Sequence, residues 1–152
     1  MNVISNFAAR YERTREEEIS LEDYLEICKN DKSAYATAAE RMLDAIGEPQ
    51  MVDTRNDPRL SRIFANKVIK IYPAFEEFYG MEEAIEQVVS YFRHAAQGLE
   101  EKKQILYLLG PVGGGKSSIA ERLKQLAEKV PFYAIKGSPV NESPLGLFDP
   151  AE

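Results

Sequence analysis

One run of the chain combines residue types that can hold a phosphate: Gly110, Pro111, Val112, Gly113, Gly114, Gly115, Lys116 and Ser117. It fits the spacing G-x-x-x-x-G-K-[ST]. Glycines allow backbone conformations closed to other residues and bring N–H groups close to an anion. Consecutive N–H groups form a concavity for phosphate oxygens. A helix starting just after the loop adds unpaired donors and the positive end of its dipole. Lys116 places an ammonium between the β- and γ-phosphates of a nucleoside triphosphate, and Ser117 offers its hydroxyl to Mg²⁺. Lys116 is therefore the candidate catalytic residue and Ser117 the candidate metal ligand. Residues 110–118, through Ser118, form the candidate cofactor-binding stretch. The loop holds no nucleophile, so by itself it binds nucleotide without cleaving it. The plain alternative is a glycine-rich turn with an incidental lysine.

The flanking elements must aim this loop. Residues 104–109 (QILYLL) form an apolar run that reads as a strand. Residues 117–130 carry a helical pattern with Ile119, Leu123, Leu126, Ala127 and Val130 on the buried face, stopped by Pro131. Residues 132–135 read as a second strand. Strand, helix and strand within about thirty residues make a βαβ unit, so a parallel sheet with a right-handed crossover is expected. Upstream, residues 81–99 give the strongest helical stripe, through Ile85, Val88, Val89, Phe92, Ala96 and Leu99. Before it, Phe75, Phe78 and Tyr79 share one turn closed by Gly80. Residues 67–72 alternate as a short strand ended by Pro73. Asp57-Pro58 reads as a helix start. Residues 50–58 form a polar connection and a boundary. Three helices precede it: residues 4–17, with Ile4, Phe7, Ala8 and Tyr11 on one face; a second opened by Ser20 with Asp23 as its capping partner; and residues 32–46, closed by Gly47 and Pro49. Residues 136–152 read as loop.

Composition narrows the function. The 152 residues carry a net charge of −6. From Glu100 onward seven acidic residues balance seven basic ones, so the excess acid lies earlier. This disfavours a nucleic-acid or acidic-membrane surface, which needs clustered Lys and Arg. A single cysteine, Cys28, permits no internal disulfide and suits a reducing compartment. No signal-peptide pattern opens the sequence and no apolar run reaches membrane-spanning length. A cytoplasmic protein is expected. The one histidine, His94, falls off the helical stripe, and no His/Cys metal pattern accompanies it.

A nucleotide-hydrolysing loop also needs an acid at the end of another strand, to position Mg²⁺ and activate water. No apolar run ending in such an acid follows Ser117. Phe148-Asp149 comes nearest, but Gly146 and Pro150 flank it. Two or three strands also cannot bury both faces of a parallel sheet. The expectation is an N-terminal piece of a larger protein.

Several stretches together resemble the PrkA family of bacterial serine protein kinases: NFAARYER, SLEDYL, RIFANKVIKIYPAF, FYGM, RHAAQGLEE, ILYLLGPVGGGKSS and KGSPVNESPL. The resemblance covers nearly the whole chain. It implies an α/β fold: a helical N-terminal section over residues 1–56, then an incomplete AAA+ P-loop core over residues 57–152, truncated before Walker B. It implies ATP and Mg²⁺ as cofactors and a protein substrate for the full-length protein. Phe78, Tyr79 and Gly80 match the segment that lines the adenine pocket in AAA+ proteins, or else simply anchor the following helix. Rings of identical subunits are common among such proteins. Three functions stay open: the ATP-binding part of a serine protein kinase, an ATPase that remodels or degrades proteins, and a segment that binds nucleotide without turnover.

Overall fold

A computed structural model describes residues 18–111 and 113–148. The expected helix over residues 4–17 lies outside them. The first described helix, α1 (Leu21–Asn30), begins where Ser20 accepts from the Asp23 N–H at 3.1 Å. Asp23 returns a contact to the Ser20 hydroxyl at 2.6 Å, not to its backbone. The next expected helix divides in two. Asp31 accepts from the Ser33 N–H and bends the chain into a 3-10 turn, Lys32–Tyr35. Thr37 and Glu40 then form a full capping box that starts α2 (Ala38–Ile46). A cap needs a non-helical backbone at its own position, so Thr37 interrupts the stripe. Gly47, at φ +76°, ends α2.

The polar connection also carries structure. Residues Gln50–Asp53 form β1, which pairs antiparallel with β2 (Val68–Ile71) in the register Met51↔Lys70, Val52↔Ile69. Thr54, fully buried, donates both its N–H and its hydroxyl to the Lys67 carbonyl and extends the hairpin. The excursion between the strands is α3 (Pro58–Phe64), capped by Asp57 as expected, with Leu60 and Phe64 packed on Ile69. The 3-10 turn Pro73–Phe75 follows, then Gly80 at φ +78°, then the long helix α4 (Glu82–Ala96).

Helix α5 (Lys116–Ala127) completes the core. Ile46 of α2, Ile85 and Val89 of α4 and Leu126 of α5 meet Tyr72 and Phe75 in one buried cluster. Burial of each such side chain is worth about 1.5–3 kcal/mol. Downstream, Tyr133 packs edge-on against the buried Tyr24 of α1, with ring centroids 5.2 Å apart.

The parallel βαβ sheet is not present among the described residues. The one sheet is the antiparallel β1–β2 pair. Residues 104–109 and 132–135 join no ladder, and Ile105, Tyr107 and Leu109 are 90, 76 and 79% exposed. A strand with two apolar faces is stable only between neighbours that cover both. No helix of the described residues is long and apolar enough to cross a membrane.

Candidate functional site

The loop is built by three backbone features. Gly113 and Gly115 stand at φ +78° and +75°, in the left-handed region where a side chain is strained. The Gly114 N–H closes the turn on the Pro111 carbonyl at 3.1 Å. Gly115 then serves as the N-cap of α5, and the first intrahelical bond runs from the Ile119 N–H to its carbonyl at 2.9 Å. The amides of Lys116, Ser117 and Ser118 thus precede the helical ladder, as first-turn donors do. Ser117 and Ser118 are exposed on that turn. Val112 lies outside the described residues.

Lys116 folds back over the loop. Its ammonium donates to the Gly110 carbonyl at 2.7 Å and to the Pro111 carbonyl. The positive charge therefore sits over the mouth of the glycine turn, beside the start of the helix. The ammonium and the positive end of the α5 dipole thus lie close together at this turn.

The turn before α4 meets this loop through Met81. A Cβ placed on Gly115 would lie 2.8 Å from the Met81 sulfur. Met81 also packs on the main core cluster. Seven residues along α5, two helical turns and so on the same face, Arg122 pairs with Glu77 at 3.0 Å. One short segment, residues 77–81, thus grips the loop helix twice. Tyr79 and Gly80 lie between these contacts in sequence. Tyr79 is 74% exposed, with the Arg59 guanidinium 5.7 Å from its ring centroid. Phe78 turns inward, edge-on to Phe75. The sequence-derived site residues therefore come together in two groups, the loop and the 79–80 turn. Met81, Glu77, Arg122 and Arg59 were missed. Met81 was signalled only by standing next to Gly80.

Beside that turn is a cavity of about 280 Å³, lined by Arg59, Tyr72, Phe78, Tyr79 and Glu82 among others. A larger one, about 590 Å³, opens between α2, α4 and Phe132 and includes none of residues 110–118. His94 contacts Glu101 through Nδ1 at 3.1 Å, away from the loop, and steadies the 3-10 turn Glu100–Lys103. Among the described residues no group of three or more His, Cys, Asp or Glu could hold a metal.

A glycine loop that carries a lysine into the start of a helix has the form of a phosphate-binding loop, which many classes of protein share. The PrkA AAA domain model matches residues 19–152, so the chain belongs to that family. The chain is 64% identical, over its whole length, to the serine/threonine kinase YeaG of Escherichia coli strain K12, and covers 24% of that protein. It is 35% identical, over 91% of its length, to the ATP-dependent protease PrkA of Bacillus subtilis strain 168, covering 22% of that protein. The chain thus spans about a quarter of the length of these curated relatives. No solved structure matches it.

Proposed function

We propose that this chain is the ATP-binding AAA portion of a cytoplasmic serine/threonine protein kinase, acting on a protein substrate. The observation that carries the reading is the placement of Lys116: at the first position of α5, with its ammonium over the Gly110 and Pro111 carbonyls. On this reading phosphate oxygens are held at the turn by the loop amides, the ammonium and the helix start. Gly110, Pro111, Val112, Gly113, Gly114, Gly115, Ser117 and Ser118 complete the phosphate stretch. Tyr79 and Gly80 face the base.

Mg²⁺ suits this donor set. Magnesium keeps several waters and binds through one or two protein groups plus phosphate oxygens, so it needs no protein cage. The exposed Ser117 hydroxyl, next to Lys116, supplies one such group. When bound, the ion neutralises charge on the transferred phosphoryl group.

The reading keeps the division into a helical section, residues 1–56, and the ATP-binding portion, residues 57–152. Residues 104–109 and 132–135 enter a parallel sheet whose other strands, with the Walker B acid, come from the remainder of the parent protein. The apolar, exposed Ile105, Tyr107 and Leu109 support this. This portion alone then binds nucleotide without turnover. Assembly into homo-oligomers is part of the same analogy.

Lys116→Ala in the full-length protein abolishes ATP binding and activity, measured by calorimetry and turnover. Unchanged nucleotide affinity overturns the reading. The Bacillus subtilis relative favours a second one, ATP-driven proteolysis or remodelling. ATP labelled at the γ-phosphate separates them. Label on a protein serine supports the kinase; free phosphate with substrate cleavage or unfolding supports the alternative.

A further inference from the structure

We propose that the groove between α2 and α4 is a docking site for residues 4–17 of the same chain, which lay Ile4, Phe7, Ala8 and Tyr11 into it as one helical face. The groove has a volume of about 590 Å³ and is lined by Ala38 and Met42 of α2, Phe92 and Ala95 of α4, and Phe132. No described residue of the glycine loop lines it, so this contact is separate from the phosphate site. Its walls are helices. A strand is held by ladder hydrogen bonds to an open sheet edge, and two helices offer none. An amphipathic helix instead seats anchors at i, i+3, i+4 and i+7 in such a groove. Small residues such as Ala38 and Ala95 let its axis come close, because the distance between packed helices follows the side chains at the contact.

The chain supplies the occupant and brings it to the right place. Residues 4, 7, 8 and 11 have that spacing, and Asn6, Ala9 and Arg13 fall on the opposite face. The segment joins the described residues at Glu18, which accepts from the Lys136 ammonium at 2.6 Å. A little further on, Tyr24 of α1 packs on Tyr133 with ring centroids 5.2 Å apart. The neighbour of Tyr133 is Phe132, a groove residue, and the Arg41 guanidinium of α2 lies 4.9 Å from its ring centroid. Phe132 stands four residues from Lys136, at most about 14 Å along the chain. Tyr11 stands seven residues from Glu18, a reach of about 10 Å as helix and about 23 Å extended. The apolar face therefore meets the groove without a long excursion.

The docked segment has a structural consequence beyond covering apolar surface. Ala127, at the end of α5, also lines the groove. Residues 4–17 then brace α2, α4 and the far end of the helix that begins at Lys116. The apolar Ile105, Tyr107 and Leu109 are a different surface, because none of them lines the groove. They stay exposed in the 152-residue chain with the groove covered.

Full-length protein lacking residues 1–17, together with a synthetic peptide of residues 1–17, tests this by dye fluorescence and calorimetry. Deletion raises the binding of a hydrophobic dye severalfold, and the peptide binds the truncated protein and reverses the rise. A Phe7→Asp peptide binds at least about tenfold more weakly, from the loss of one buried aromatic side chain. An Asn6→Asp peptide, altered on the opposite face, binds as the unmodified one does. Unchanged dye binding after the deletion means that the remainder of the parent protein covers the groove, and it overturns the proposal. Absence of peptide binding, or equal binding of the Phe7→Asp peptide, overturns it too. Where the truncated protein does not fold, the intact full-length protein decides. Phe7→Cys combined with Ala95→Cys cross-links within one molecule on oxidation, and Asn6→Cys combined with Ala95→Cys does not. No link from position 7, or an equal link from position 6, overturns the proposal. A link formed only between two molecules overturns it by making a second copy the occupant.

Discussion

Gly115 is where two distant stretches of chain press on one backbone position. Its φ of +75° costs an L side chain about 1–2 kcal/mol, and its Cβ direction is blocked by the Met81 sulfur at 2.8 Å. Gly115→Ala should therefore weaken nucleotide binding strongly, read by calorimetry. Met81→Ala removes the steric part, so the double variant binds better than the sum of the two single changes allows. Strict additivity would show that Met81 is not what excludes the side chain. A second residue-scale effect concerns Tyr24, whose hydroxyl is pushed up to about 12 by burial, with a hydrogen bond to Cys28 adding to it. The folded value exceeds the ordinary 10.0, so the neutral form is favoured by folding. Its contribution is complete below pH 10 and is lost as pH rises toward 12. Denaturant melts across that window should show a loss that Tyr24→Phe removes.

At the scale of elements, local chemistry was readable and partnership was not. Ser20, Asp57-Pro58 and Gly47 mark helix ends through contacts within four residues, and each end stands where these residues place it. The capping box at Thr37 and Glu40 is equally local. It went unread because the apolar spacing runs through it from Tyr35 to Ile46. Thr37→Ala should cost about 1 kcal/mol of stability in a thermal or denaturant melt. The Thr37 hydroxyl and N–H hold the Glu40 carboxyl below its ordinary value of 4.5. This contribution is therefore present above pH 4.5 and fades as pH falls through the lowered value. β1 was missed for a different reason. Its four residues become a strand only by pairing with β2, fifteen to twenty-one residues later in the chain. Conversely, the composition of QILYLL predicts a strand, yet composition carries no neighbour. The glycine spacing and the helix that starts at Lys116 are legible in the sequence. The Met81 contact and the Arg122–Glu77 pair depend on tertiary packing, which spacing does not encode.

At the scale of the whole molecule, the apolar residues 105–109 and the open cavity beside Phe132 leave more hydrophobic surface exposed than a self-contained domain usually does. The 152-residue chain on its own should bind a hydrophobic dye and melt with low cooperativity. A sharp two-state melt without dye binding would contradict that. The two limbs of the glycine loop also differ. Downstream, α5 is seated in the core by Ile119 and Leu126 and gripped by residues 77–81. Upstream, residues 104–109 have no sheet neighbour. Phosphate at residues 110–117 and a strand alongside residues 104–109 would each fix the same upstream limb. Whichever arrives first lowers the ordering cost met by the other. If the proposed nucleotide site and the proposed parallel sheet are both real, linkage makes the two events favour each other by an identical factor, and the covering sheet would then raise nucleotide affinity.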